Sequence, residues 1–378
     1  MKIGYVGGIS GVCGSLTPPA IKAMKMATEE INNAGGIMGR PVEVIYRDSK
    51  TKPDEGAKQA RDLIVSDKVE IITGVCSSSI FMSVFPVTKE YNIPLFSALS
   101  GTHKPNIDFF YPGVFQTQPH TIIEGKALAE FTKQKGWKKI VTMAMDYEWG
   151  RTTIEVYKDH LAQIDPSAKI VKELWPKFGE SNMTSFITAT LADQPDAVIA
   201  VTAGVTTNSL IKQGKAYGLF DRTKVVAFLV TQTLMDMGTE VPDGIYGWSR
   251  APFNALGTAR GADFVKRYRA RYDGEYPTDW GVLGYDVMYF IKEVVTRAGN
   301  TKSEDMSKAA ASFTFDSVRG QLRSRTLDNT LDSPSYIGIT KKTPEYPFPI
   351  LTDVTAIPGS KLLPSEAEVL KMRAMANK

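Results

Sequence analysis

With 378 residues the chain is long for a single hydrophobic core, so two lobes of roughly 100 to 200 residues each are expected. Hydrophobic residues at 43% and charged residues at 23%, without a low-complexity run, exclude a disordered chain, and no apolar stretch approaches the roughly 20 residues of a membrane-spanning helix. The net charge of +4 is small for this length, and Lys22, Lys25, Arg267 and Arg271 are scattered rather than clustered, so nucleic acid is not an expected partner.

In chain order, the first strand reads at residues 3–7, with neither a basic nor an apolar leader segment ahead of it. A removed signal peptide and a cytosolic chain are both compatible with that start. A helix follows, with Ile21, Met24, Ala27 and Ile31 at near-helical spacing; it begins after Pro18 and Pro19 and stops at Gly35 and Gly36. Strands are expected at 42–46 and 69–75. The stretch Gly74, Val75, Cys76, Ser77, Ser78, Ser79 joins the second of these to a helix beginning near Ile80. Serine hydroxyls and unpaired backbone N–H groups at a helix N-terminus can hold a carboxylate without any cationic side chain. The plainer reading is an ordinary N-cap whose serines satisfy their own helix.

Residues 121–136 form a second helical pattern, with Ile122, Ile123, Leu128, Ala129 and Phe131 on one side and a glycine at the end; they lead into a strand at 140–145, as a new lobe would. Strands at 197–201 and 224–230 continue the rhythm of a parallel sheet. The fold class expected is α/β, with two doubly wound parallel-sheet lobes. Residues 115–120 and 248–253, lying between βα units, are natural crossovers. They divide the chain into a first lobe of 1–117 plus 252–327 and a second of 118–251 plus 328–378. After Phe313 short extended pieces, 336–340 and 348–354, are expected to finish the second lobe. Ser365, Glu366, Ala367 and Glu368 then carry a capping-box pattern before a terminal helix through Met375.

Signals for enzymatic chemistry are weak. Gly8, Ile9, Ser10, Gly11, Val12, Cys13 and Gly14 follow the first strand but lack the G-x-G-x-x-G spacing of a dinucleotide loop, and Asp48 offers the matching acid only loosely. His103, His120 and His160 are isolated, with no neighbouring nucleophile in a triad pattern. Two cysteines and no clustered histidines leave no metal site to propose. No cofactor is expected.

Several motifs together, in order and with comparable spacing, make the chain resemble the type I periplasmic solute-binding proteins of the leucine/isoleucine/valine-binding family, the receptors of ABC importers. They are Ile9-Ser10-Gly11 after the first strand, the run from Glu30 through Gly35-Gly36-Ile37-Met38-Gly39 to Arg40-Pro41, and Cys76-Ser77-Ser78-Ser79. Ile93-Pro94-Leu95-Phe96-Ser97 and Asp146-Tyr147-Glu148-Trp149-Gly150 complete the set. The resemblance covers nearly the whole chain. It implies two α/β lobes joined by a three-segment hinge, a solute held in the cleft between them, and hinge closure around it. It further implies a periplasmic location after loss of a signal peptide, a monomer, ABC permease membrane subunits as partners, and no enzymatic activity.

Carried over residue by residue, the resemblance assigns the solute carboxylate to Cys76, Ser77 and Ser78 and to Leu99, Ser100 and Gly101. Thr102 is the alternative hydroxyl where the second loop departs from the family pattern. Trp149 maps onto the aromatic residue that covers the solute; core packing is its plainer role. Leu16 replaces a polar aromatic, and Trp280 and Tyr285 are further candidate linings. Amino-acid receptors of the family neutralise the solute ammonium with an acid in a second-lobe loop. The corresponding loops, 203–208 with Thr206 and 229–233 with Gln232, contain no carboxylate. An ammonium buried there would lose several kcal/mol of hydration. An acid lacking an α-amino group, benzoate-like or phenylpropenoate-like, is therefore expected first, and an aliphatic amino acid or 2-oxo acid second, with Asp236 or Glu240 as the acid in that case. A ligand-sensing module of a regulatory system is the alternative from another class. Family members often pair the cysteine before the serine run with one near the position of Lys50. That partner is absent here, which makes Cys13 a replacement; two reduced, buried thiols are the alternative.

Overall fold

The computed structural model describes residues 1–377; Lys378, the last residue of the expected second lobe, lies outside the described residues. The chain begins with β1 (Lys2–Gly7), α1 (Thr17–Asn33), β2 (Glu43–Asp48), α2 (Pro53–Val65), β3 (Ile71–Gly74), α3 (Ser78–Glu90), β4 (Leu95–Ser97) and β5 (Val114–Gln116). These five strands form a parallel sheet in the order β2-β1-β3-β4-β5. β1 and β3 are buried along nearly their whole length, as central parallel strands covered on both faces must be, which is why they read as continuous apolar runs. Val6, Leu63, Ile72, Ile80, Phe81 and Val84 form a core between the sheet and α2 and α3.

Next come α4 (Thr121–Gln134), β6 (Lys139–Ala144), α5 (Glu148–Ile164), β7 (Lys169–Leu174), α6 (Thr184–Asp193), β8 (Ala197–Val201), α7 (Val205–Ala216), the single turn α8 (Leu219–Arg222), β9 (Lys224–Phe228), α9 (Thr231–Met237) and β10 (Tyr246–Ser249). The chain then supplies α10 (Ala259–Arg271), α11 (Asp279–Ala298), α12 (Ser303–Ala311) and the hairpin β11 (Thr314–Ser317) and β12 (Gly320–Arg323) to the first unit. It returns with β13 (Ser335–Lys341) and β14 (Ile350–Ile357) to complete a seven-stranded sheet in the order β14-β13-β10-β9-β8-β6-β7, and ends in α13 (Glu366–Ala376). β13 and β14 are antiparallel additions to an otherwise parallel sheet. No described helix is long and apolar enough to cross a membrane.

The chain divides into one unit of Met1–His120, Leu256–Ser333 and Leu363–Lys378 and a second of Thr121–Ala255 and Pro334–Leu362. The expected boundaries at 117/118 and 251/252 lie within a few residues of those found. The tail is a correction: 328–333 and 363–377 belong to the first unit, not the second. Arg373 of α13 explains it, since its guanidinium donates to the carbonyls of Ile107 and Leu327 and lies over the Phe110 ring. Arg325 reaches the Pro364 carbonyl at 2.7 Å from the same side. The capping box at Ser365 and Glu368 opens α13 as its residue pattern requires. β4 and β5, of three residues each, are too short to show a period, and β7, β10, β11 and β12 are likewise not read as strands in the sequence.

Candidate functional site

All strands of the first sheet run parallel, so the loops leaving β1, β3 and β4 emerge along one edge, where open α/β sheets bind ligands. The β3 loop turns sharply. Gly74 has a φ of 104° and Val75 one of 61°, rare for a β-branched residue, and the Val75 N–H is anchored on the Val6 carbonyl at 2.7 Å. A Cβ at Gly74 would sit 2.5 Å from the Tyr5 ring, so glycine is required. Cys76 is joined to Cys13 of the β1 loop by a disulfide with a Cα separation of 6.4 Å. The β1 loop is itself tied down: Ser10 donates to Asp48 at 2.6 Å, and Thr51 links the Ser10 carbonyl to the Cys13 N–H.

Ser77 then occupies the N-cap of α3 with extended backbone, yet its hydroxyl makes no capping bond. The plain N-cap role expected of this serine is therefore not what its side chain does. Ser78 is buried, and its hydroxyl accepts the Thr102 N–H at 3.1 Å, binding the β3 and β4 loops together. Ser100 is fully buried and its hydroxyl has no hydrogen-bond partner. Its carbonyl accepts from the side-chain amides of Gln116, at 3.0 Å, and Gln118. Leu99 is buried beside it, and the Ala98 N–H reaches the Gly74 carbonyl at 3.3 Å. Cys76, Ser77, Ser78, Leu99, Ser100 and Gly101 thus share one edge, and Leu16 lies in the loop that the disulfide attaches to it. Residues 8–16, 74–79 and 97–102 contain no lysine or arginine. An anion here would meet hydroxyls, orphan N–H groups and the positive end of α3. His103, next along this loop, is buried, and that burial, with Lys104 nearby, pushes its imidazole down to about 3, so it is neutral at pH 7.

In the second unit Trp149 sits in the first turn of α5, 3% exposed, with its ring 5.2 Å from Phe228 and 5.8 Å from Trp248. Its indole N–H goes to Glu124 at 2.8 Å. Thr206, in the first turn of α7, is buried with its hydroxyl unpartnered. Gln232, in α9, donates to Asp236 at 2.7 Å, and Asp236 and Glu240 line a surface cavity of about 260 Å³ with Val205 and Lys212. Trp280 is buried in the first turn of α11 in the first unit. Tyr285 lies further along that helix, where its hydroxyl donates to Glu30 at 2.6 Å and its ring packs on Phe264. Its phenol is spent tying α1, α10 and α11 together.

The sequence reading missed Gln116 and Gln118, which brace the β4 loop; their signal was polar side chains in a run otherwise read only as a crossover. It also missed Tyr147, the half-buried N-cap of α5 against Phe178, and the buried pair Glu124 and Arg250. Glu124 interrupts the apolar face of α4, a signal visible in the residues. Among the described residues no group of His, Cys, Asp or Glu is arranged to hold a metal ion.

A family model described as periplasmic binding protein matches residues 1–343. Over 152 residues, 40% of this chain, the sequence is 28% identical to Glutamate receptor 3.4 of Arabidopsis thaliana; the match spans only 15% of that receptor. A solute-binding protein of an ABC transporter from Rhodopseudomonas palustris, solved with 3,4-dihydroxybenzoic acid, superposes with a TM-score of 0.83 at 20% identity, covering 95% of this chain and 98% of that one. A leucine-binding protein from Thermotoga maritima gives 0.83 at 18% identity, covering 95% and 99%.

Proposed function

Because this chain belongs to the periplasmic binding protein family, we propose that it is the extracytoplasmic solute receptor of an ABC importer and that its solute is a small carboxylate without an α-amino group, an aromatic acid first. It works as a non-enzymatic monomer that delivers the solute to the permease membrane subunits. The observation that carries the reading is the cation-free cradle of the first unit: Ser77 leaves its own helix uncapped, and the Ser100 hydroxyl is buried without a partner. A carboxylate oxygen would satisfy both at the positive end of α3. The absence of an acid from residues 203–208 and 229–233 supports an amine-free solute, as does the dihydroxybenzoic acid bound by the Rhodopseudomonas relative.

The leucine-binding relative favours a second reading, an aliphatic amino acid or 2-oxo acid. A thermal-shift screen separates the two, because stabilisation follows occupancy of the native state. Benzoate, coumarate and hydroxyphenyl acids are set beside leucine, valine, phenylalanine and their 2-oxo acids. A rise with amine-free acids alone is expected; a rise with the amino acids returns the protein to the amino-acid branch. The match to part of a plant glutamate receptor favours a sensory module as the reading from another class. Solute-dependent stimulation of permease ATP hydrolysis in proteoliposomes is expected of the importer and not of the sensor.

A further inference from the structure

The second unit holds a carboxylate with no exposure among aromatic rings. Glu124, in the first turn of α4, is 0% exposed; one oxygen accepts the Trp149 indole N–H at 2.8 Å and the other the Arg250 Nε–H at 2.6 Å. Arg250 is 3% exposed, directly follows β10, and its guanidinium lies 5.8 Å from the centroid of Trp149 and 5.4 Å from that of Phe228. Trp149 and Arg250 leave parallel strands at their carboxyl ends, the solute-binding edge of an open α/β sheet. The other buried acid described in this unit, Asp165, precedes β7 at the opposite edge, where Lys138 pairs with it.

A desolvated carboxylate walled by aromatic faces is the environment in which a primary ammonium binds best. Here the cation is supplied from within the chain. We propose that Arg250 is a specificity-determining residue: by neutralising Glu124 it denies a solute ammonium its counter-charge, so that the receptor rejects an amino acid in favour of its amine-free counterpart. The inference rests on the carboxylate-receptor reading and names the feature that sets its solute class.

Titration calorimetry on the full chain with two matched pairs, phenylacetate against phenylglycine and 4-methylpentanoate against leucine, isolates the ammonium. Wild type is expected to prefer the amine-free member by on the order of 100-fold. Arg250→Gln removes the cation that Glu124 pairs with, so that the carboxyl group can take a solute ammonium in its place, and the preference should shrink by about tenfold or more. Glu124→Gln moves it the other way, because the pair then loses its negative member while the Arg250 cation stays, and the double variant should return toward wild type. A folded Arg250→Gln with unchanged preference overturns the proposal. Should that variant not fold, Glu124→Gln decides, and a preference that fails to widen overturns it. Wild type binding both members of a pair equally removes the role of Arg250 but leaves the carboxylate reading standing. Binding of none of the four acids overturns the carboxylate reading and the proposal with it.

Discussion

Ser77 and Ser100 do different work although both are serines on one edge of one sheet. Ser77 is a helix N-cap that does not cap, so replacing it removes a hydroxyl the fold does not use. Ser77→Ala should weaken benzoate binding by about 1–3 kcal/mol, the worth of a charge-assisted hydrogen bond, with little change in the melting temperature of the free protein. Unchanged calorimetric affinity would remove Ser77 from the site. Ser100 is already an orphan: burying an unsatisfied hydroxyl costs about 1–3 kcal/mol. Ser100→Ala should therefore hold or raise the stability of the free protein while lowering its affinity for benzoate. A loss of stability without a loss of affinity would make Ser100 a structural residue.

Elements owe their positions to a few local devices. The turn from β3 to α3 combines two left-handed residues, Gly74 and Val75, with a disulfide one residue later, and this holds the start of α3 against the β1 loop. With 63 residues separating Cys13 and Cys76, the chain-entropy model assigns the bridge about 4 kcal/mol. Urea unfolding of the Cys13→Ser/Cys76→Ser variant should show a loss of that order, matched by wild type in reductant. A much smaller loss would mean that the surrounding hydrogen bonds, Thr51 to the Ser10 carbonyl and Val75 to the Val6 carbonyl, hold the loops unaided. α13 depends on contacts distant in sequence. Of its hydrophobic residues only Val369 is buried, and Arg373 anchors it through two carbonyls and the Phe110 ring.

At the scale of the whole molecule, residues 363–377 return to the first unit, so the stability of that unit depends on the docking of α13. Arg373→Ala is expected to lower the urea midpoint by an amount equivalent to about 1–3 kcal/mol, because two carbonyls lose a charged donor. An unchanged midpoint would show that α13 is an ornament of the first unit. The sequence by itself determined the α/β class, the positions of β1, β2, β3, β6, β8 and β9 and of α1, α4 and α13, and the serine turn after β3, because periodicity and turn chemistry are properties of neighbouring residues. Only the tertiary structure decided which distant groups meet. Arg250 reaches Glu124 across 126 residues, and Arg373 reaches Ile107 across 266. Each pairing is set by the parallel edges and helix packing that bring the loops together, and no local pattern in the chain records its partner.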